Sequence, residues 1–136
     1  MVLTFTVKGG DFVNAGKASS SVKAVLKQLN IGSEKIKRAV ISLYEAEVNV
    51  AAHAVSGIIT VIIDSSYITM TIEDNGPGIE DIDLAMSDGY STASEEVREM
   101  GFGAGMGLPN IKRNTDRLNI ESTPGKGTTV KMEINF

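Results

Sequence analysis

The chain has 136 residues, a length that fits one domain and excludes a second domain of ordinary size. Hydrophobic residues make up 42% of the sequence, which is enough for a packed core and too many for a disordered chain. The formal net charge is −4, and the absence of cysteine excludes disulfides, thiolate metal sites and a cysteine nucleophile.

The basic residues are scattered, and the nearest approach to a cluster is Lys35, Lys37 and Arg38, which Glu34 precedes. We interpret this group as a solvated helix face, so no nucleic-acid partner is predicted. Residues 1–6 lack a basic signal-peptide region, and the longest apolar run, residues 57–63, is too short to cross a bilayer. The expectation is a soluble, cytoplasmic protein with no membrane partner.

The first elements are a strand and two helices. Alternating apolar and hydroxyl residues predict a strand over residues 3–7. Helical spacing of apolar residues predicts a helix over residues 18–29, closed by Asn30 and Gly32. Ser33 is predicted as the N-cap of a second helix that runs to about residue 54.

A hairpin and a long loop follow. Two β-branched segments, residues 58–63 and 67–73, are joined by a short polar turn and predict an antiparallel hairpin. Residues 75–107 are rich in glycine and indicate a functional loop, with one or two helical turns over residues 81–86.

The last elements are a helix over residues 108–118 and two strands over residues 120–122 and 128–134, which a turn at residues 124–127 connects. This order predicts an α/β two-layer sandwich. Its sheet is expected to be mixed but mostly antiparallel, with about three helices covering one face.

Glu45 and Asn49 lie four residues apart on the second predicted helix and therefore project from one face. A glutamate beside a bound triphosphate can accept a proton from an attacking hydroxyl, and an asparagine oxygen suits Mg²⁺. A polar helix face in solvent explains the same pair. His53 continues the row and is interpreted as a packing or supporting residue, whereas Glu47 lies off this face and is given no catalytic role.

Asp74 follows a predicted strand and opens the sequence Asp-Asn-Gly-Pro-Gly. A carboxylate at a strand end can accept the exocyclic amine of adenine. Gly76 and Gly78 allow the backbone to pass close to a ligand. A plain turn also fits this sequence. Thr128, at the start of the last strand, can support Asp74 directly or through water.

Four glycines alternate directly before the predicted third helix and its first residue, Leu108. They are Gly101, Gly103, Gly105 and Gly107. Backbone amides at a helix start form an anion site, so the pattern favours phosphate binding over a flexible linker, and we expect Leu108 and these glycines to bind the nucleotide. No Walker lysine follows these glycines.

These blocks resemble the motifs of the GHKL superfamily, which comprises gyrase, heat-shock chaperones, histidine kinases and MutL repair proteins. Glu45 and Asn49 resemble its N box, Asp74-x-Gly76-x-Gly78 its first glycine box, Gly103-x-Gly105-x-Gly107 its second, and Thr128 its late threonine. The resemblance covers nearly the whole chain. It implies a single domain over residues 1–136 with the Bergerat ATP-binding fold, ATP and Mg²⁺ as cofactors, and an ATP lid over about residues 79–104.

Within that superfamily, residues 44–49, 89–94 and 98–110 resemble the serine/threonine kinases of bacterial partner-switching pathways, which include anti-sigma factor kinases and the stressosome switch kinase. The resemblance implies transfer of the ATP γ-phosphoryl group to a serine or threonine of a STAS-domain antagonist. Glu45 would act as the base and Asn49 would hold the metal. A sigma factor or a PP2C-type phosphatase is a further implied partner, and the protein is expected to be a monomer or homodimer.

Two alternatives stay open at this point. One is a histidine-kinase catalytic domain, although the single histidine lies in the N-box helix. The other is an ATP-gated binding module without significant phosphotransfer, which would not need the base Glu45.

Overall fold

A computed structural model describes residues 1–87 and 107–136. The described residues form five strands and four helices. In chain order these are β1 (Val2–Lys8), α1 (Lys17–Gln28), α2 (Ser33–His53), β2 (Ser56–Ile63), β3 (Tyr67–Asp74), α3 (Ile82–Ala85), α4 (Gly107–Asn114), β4 (Arg117–Thr123) and β5 (Gly127–Asn135). Every strand and helix predicted within these residues is present, with changes mainly at the ends.

The five strands form one sheet in the order β1-β2-β3-β5-β4. All four pairings of these described strands are antiparallel, so the sheet is more uniform than the mixed arrangement expected. Short turns account for the β2–β3 and β4–β5 pairs, because a strand that reverses direction within a few residues pairs antiparallel with its predecessor.

The sheet has one apolar and one polar face, because successive side chains along a strand point to opposite sides. Ile59, Met70 and Met132 are fully buried on the apolar face. The polar face carries the cross-strand row Thr4, Thr60, Thr71, Lys131 and Asn119.

Helix α2 is the centre of the second layer. It contacts β1, β2, β3 and β5 of the sheet. Both α1 and α4 pack against it within the helical layer. Leu43 and Val50 of α2 are buried in the same cluster as the apolar side chains of the strands. The chain is therefore a two-layer α/β sandwich, as predicted from the element order.

Helix α1 is attached to α2 by the carboxylate of Glu47, which is only 1% exposed. Its Oε2 accepts hydrogen bonds from the backbone amides of Gly16 (2.9 Å) and Ala18 (3.2 Å), and its Oε1 accepts one from Ser19 (2.8 Å). No side chain at the N-cap of α1 caps that helix. Glu47 therefore satisfies amides of the first turn that would otherwise lack partners.

Helix α4 ends at Asn114, four residues before the predicted end. The Asn114 side chain donates to the carbonyl of Asn110 (2.8 Å), and the Thr115 hydroxyl donates to that of Ile111 (2.9 Å). These bonds satisfy the last carbonyls of the helix. Leu118, predicted in the helix, instead pairs with Met132 in the sheet.

Arg38 fixes the junction after α4 and is not the solvated residue that the sequence suggested. Its guanidinium donates to the Asn114 carbonyl (3.1 Å) and to Oδ1 of Asp116 (3.1 Å). The backbone amide of Asn135 donates to Oδ2 of the same carboxylate (2.8 Å). This amide and, after it, Arg38 lower the pKa of Asp116 below its ordinary value.

Two further details concern the helices. Helix α2 has Gly32 at its N-cap, so Ser33 is its first residue rather than its N-cap, and no side chain caps it there. The predicted turns over residues 81–86 are present as α3, where the Asp81 carboxylate accepts from the amide of Leu84 (3.0 Å). None of the described helices is long and apolar enough to cross a membrane.

Candidate functional site

Three polar side chains form a row along α2. Glu45, Asn49 and His53 follow one another at intervals of four residues, and each is half-buried. Residues four apart lie on one face of a helix about 6 Å apart along its axis. The row therefore extends over two helical turns, from Glu45 in the middle of α2 to His53 at its end.

Helix α4 lies against the first two members of this row. The side-chain amide of Asn110 donates to Oε1 of Glu45 over 3.2 Å. A Cβ placed on Gly107 would lie 2.9 Å from Oδ1 and 3.2 Å from Nδ2 of Asn49. The backbone at the start of α4 thus passes directly over the Asn49 amide, and a side chain at residue 107 would require that amide to shift.

The far end of the row lies near Asp74, the last residue of β3. Burial of the imidazole lowers the pKa of His53 more than the nearby carboxylate of Asp74 raises it, so the pKa lies below its ordinary value. A Cβ on Gly76 would lie 3.1 Å from the His53 carbonyl oxygen. The first glycine box therefore packs against the end of α2.

Two backbone amides hold the Asp74 carboxylate through one oxygen. Its Oδ1 accepts from Gly76 (2.9 Å) and from Thr128 (3.3 Å), which is the cross-strand partner of Asp74. In the part of the chain that the structure describes, no group donates to the second oxygen, Oδ2. This half-buried carboxylate is oriented and has an acceptor left for a ligand amine.

Gly78 is required where the chain leaves the Asp74 region. Its φ of +79° lies in the left-handed region, and an added Cβ would be 2.5 Å from the Thr123 carbonyl oxygen. A side chain here would force the backbone away from the β4–β5 turn. The glycine pattern singled out in the sequence thus corresponds to close backbone packing at this site.

Thr128 is a buried residue, 7% exposed, whose hydroxyl lies 2.8 Å from that of Ser122. Gly107 and Leu108 are the first two residues of α4, and Leu108 packs against the core. Gly101, Gly103 and Gly105 lie outside the described residues, as does most of the predicted lid. The structure therefore brings together Glu45, Asn49, Asp74, Gly76, Gly78, Gly107 and Thr128.

Residues of the site that sequence reasoning missed are Asn110, which holds Glu45, and Ser122, which contacts Thr128. The signal for Ser122 was available, because the predicted hairpin places it opposite Thr128. Asn110 was harder to find, since its role depends on how α4 packs against α2. The side-chain oxygen of Asn110 accepts a hydrogen bond from Arg113 (3.0 Å), so the side-chain nitrogen of Asn110 is directed toward Glu45.

A metal at this site would have few protein ligands. No cluster of three histidine, aspartate or glutamate side chains that could hold a metal occurs within residues 1–87 and 107–136. Asn49 offers one neutral oxygen, half-buried and beside a helix start. This donor set fits Mg²⁺, which takes most of its ligands from phosphates and water, and does not fit a structural metal.

Comparisons with known proteins show the family to which the chain belongs. Residues 33–136 match the family described as histidine kinase-, DNA gyrase B-, and HSP90-like ATPase. The chain is 39% identical over 124 residues to an anti-sigma F factor of Thermoanaerobacter sp. (strain X514), covering 88% of this chain and 83% of that protein. It is 33% identical over 111 residues to the serine/threonine-protein kinase RsbT of Bacillus subtilis (strain 168), covering 79% and 77%.

Solved structures show the same fold. A chain in the SiaB–SiaC complex from Pseudomonas aeruginosa superimposes with a TM-score of 0.67 at 11% identity, covering 97% of this chain and 88% of that one. The mycobacterial sensor histidine kinase MprB superimposes with a TM-score of 0.57 at 17% identity, covering 98% and 97%. From the family match and the curated relatives, the chain belongs to the histidine kinase-, DNA gyrase B- and HSP90-like ATPases, in the group that includes anti-sigma F factors and RsbT.

Proposed function

We propose that the protein is a cytoplasmic serine/threonine kinase that transfers the γ-phosphoryl group of ATP to a STAS-domain antagonist in a partner-switching pathway. The observation that carries this proposal is the row on α2, which starts at a carboxylate held by α4, continues through Asn49 under Gly107, and ends beside Asp74. This arrangement has one group for each part of a nucleotide-dependent transfer.

Asp74 is the proposed ligand of the adenine ring. Its Oδ1 accepts from two backbone amides, and its Oδ2 would accept the exocyclic amine of adenine. Thr128 is the cross-strand partner of Asp74 on β5, and its buried hydroxyl would supply a second polar contact to the adenine. The pairing of β3 with β5 thus builds the adenine end of the site.

Asn49 is the metal ligand in this proposal. A bound Mg²⁺ would neutralise charge on the transferring phosphoryl group. Asn49 would hold it through Oδ1, and the contact with Gly107 limits where that oxygen can lie. The amides of the second glycine box, of which Gly107 is the described member, would bind the phosphates.

Glu45 is the proposed general base. Its carboxylate lies one helical turn beyond Asn49, and Asn110 holds its Oε1 in place. From this position it would accept the proton of the acceptor hydroxyl while the phosphoryl group is transferred to that oxygen. An oriented carboxylate here favours a kinase over the ATP-gated binding module, which needs no base.

The partner is inferred from the relatives. One group is named for action on a sigma factor and another is named a serine/threonine-protein kinase, which supports a regulatory protein with a hydroxyl acceptor. A STAS-domain antagonist is the acceptor we propose. A sigma factor or a PP2C-type phosphatase would be a second partner, bound without transfer.

The test is transfer of labelled phosphate from ATP with Mg²⁺ to STAS-domain proteins encoded beside this gene. We expect acid-stable label on a serine or threonine, which is lost in Glu45→Ala and in Asn49→Ala. Matched controls are Glu121→Ala and Asn119→Ala, which alter exposed side chains on the polar face of the sheet and should retain transfer. Acid-labile label would indicate a histidine kinase instead, and equal transfer by the Asn49 variant would refute the metal assignment.

A further inference from the structure

The hydroxyl of Ser122 lies where three parts of the adenine end meet. It accepts a hydrogen bond from the backbone amide of Ile79 (2.7 Å) and lies 2.8 Å from the hydroxyl of Thr128. The carbonyl of Gly127 is 3.2 Å away. One side chain of β4 therefore connects the end of the first glycine box with the residue beside Asp74.

A hydroxyl has one proton and two acceptor positions, which limits how these contacts can be made. The Ile79 amide uses one acceptor position of Ser122. If Ser122 then donates to Gly127, it accepts from Thr128, whose oxygen could then only accept a hydrogen bond from a ligand. If Ser122 donates to Thr128, the Thr128 proton is available for an acceptor on the ligand. In both arrangements the bond with Ser122 restricts rotation of the Thr128 side chain.

The same hydroxyl fixes the chain that leaves the first glycine box. The amide of Gly125 donates to the Pro77 carbonyl (2.7 Å), and Gly78 packs on the Thr123 carbonyl. The hydrogen bond from the Ile79 amide to the Ser122 hydroxyl adds a side-chain contact that holds this segment against β4. Residue 79 is also the first residue of the predicted lid, so the start of the predicted lid and Thr128 both contact Ser122.

We propose that Ser122 is a positioning residue for nucleotide recognition, acting through Thr128 and through the backbone at Ile79. This inference deepens the proposed function and rests on it, because it requires that adenine bind between Asp74 and Thr128. Removal of the hydroxyl frees the Thr128 side chain to rotate and leaves the Ile79 amide without its acceptor. Adenine affinity falls, while contacts to phosphate and ribose remain.

The test measures binding of ADP and GDP to Ser122→Val and Ser122→Thr, a pair that differs only by a hydroxyl in place of a methyl group. We expect the valine variant to bind ADP about five-fold more weakly, as for the loss of one hydrogen bond, and GDP with little change. The threonine variant should recover most of the ADP affinity. A purely structural role would weaken both nucleotides equally in Ser122→Val.

A double-mutant cycle tests whether the effect passes through Thr128. We expect Ser122→Ala to weaken ADP binding in the wild-type background and to have much less effect in Thr128→Val. Provided that the wild-type protein binds ADP, two results would overturn the inference. One is an equal effect of Ser122→Ala in both backgrounds, and the other is an ADP affinity of Ser122→Val equal to that of wild type. Absence of ADP binding by the wild-type protein would instead overturn the proposed function and the inference together.

Discussion

The buried carboxylate of Glu47 offers a prediction whose size can be worked from the structure. In Glu47→Ala three backbone amides at the start of α1 lose their acceptors at a position that is 1% exposed. An unpaired buried donor costs about 1–3 kcal/mol, so the variant should lose about 3 kcal/mol or more. In Glu47→Gln one oxygen remains and can keep the bonds to Gly16 and Ala18, so the loss should be about 1–2 kcal/mol.

Thermal unfolding gives the assay. With an unfolding entropy of about 2.1 cal/mol/K per residue and 136 residues, 1 kcal/mol corresponds to about 3–4 °C in Tm. We expect Glu47→Ala to melt at least about 10 °C below wild type and the glutamine variant to lie between them. Amide hydrogen exchange of residues 16–20 should rise in both. The exposed Glu121→Gln is the matched control, and a Tm of Glu47→Ala within about 2 °C of that control would refute the reasoning.

Three further predictions concern other sites. Gly107→Ala places a Cβ 2.9 Å from Oδ1 of Asn49 and displaces that oxygen, so we expect it to reduce Mg²⁺-dependent transfer, but less than Asn49→Ala does; unchanged transfer would contradict the contact. Ser42 is fully buried and its hydroxyl has no hydrogen-bond partner among the described residues, so Ser42→Ala should leave the unfolding free energy unchanged or raise it by about 1 kcal/mol. Burial lowers the pKa of His53, so the unfolded chain binds more protons there and stability falls as pH drops through the unfolded pKa of about 6.5. Urea unfolding between pH 7.5 and 5.5 should show a smaller loss of stability in His53→Asn than in wild type, and equal losses would contradict this.

Much of the fold could be predicted because it depends on local patterns. Apolar and polar residues alternate along β2, β3 and β5 because one face of each strand is buried. The short turns at residues 64–66 and 124–126 require that the strands they connect pair antiparallel. The row on α2 follows from helical geometry alone. The predicted end of α4 was wrong because an apolar residue such as Leu118 fits the buried face of a helix or of a strand. Leu118 lies in β4, where it pairs with Met132.

The supporting contacts of the site could not be predicted, because they join residues that are distant in sequence. Glu47 contacts amides about thirty residues earlier, and Asn110 contacts Glu45 from a different helix. Spacing on α2 showed that Glu47 lies off the Glu45 face, but not that it is buried. Such contacts depend on how helices pack, which periodicity does not specify.

The most direct test of the account separates nucleotide binding from transfer in Glu45→Gln. The variant keeps the shape of the side chain and its contact with Asn110 but cannot accept a proton as a base. We predict that it binds ATP with Mg²⁺ as tightly as wild type and transfers no phosphate to the STAS-domain acceptor. Transfer at the wild-type rate would contradict the assignment of Glu45 as the base. Binding without transfer in the wild-type protein itself would contradict the kinase and leave an ATP-gated binding module.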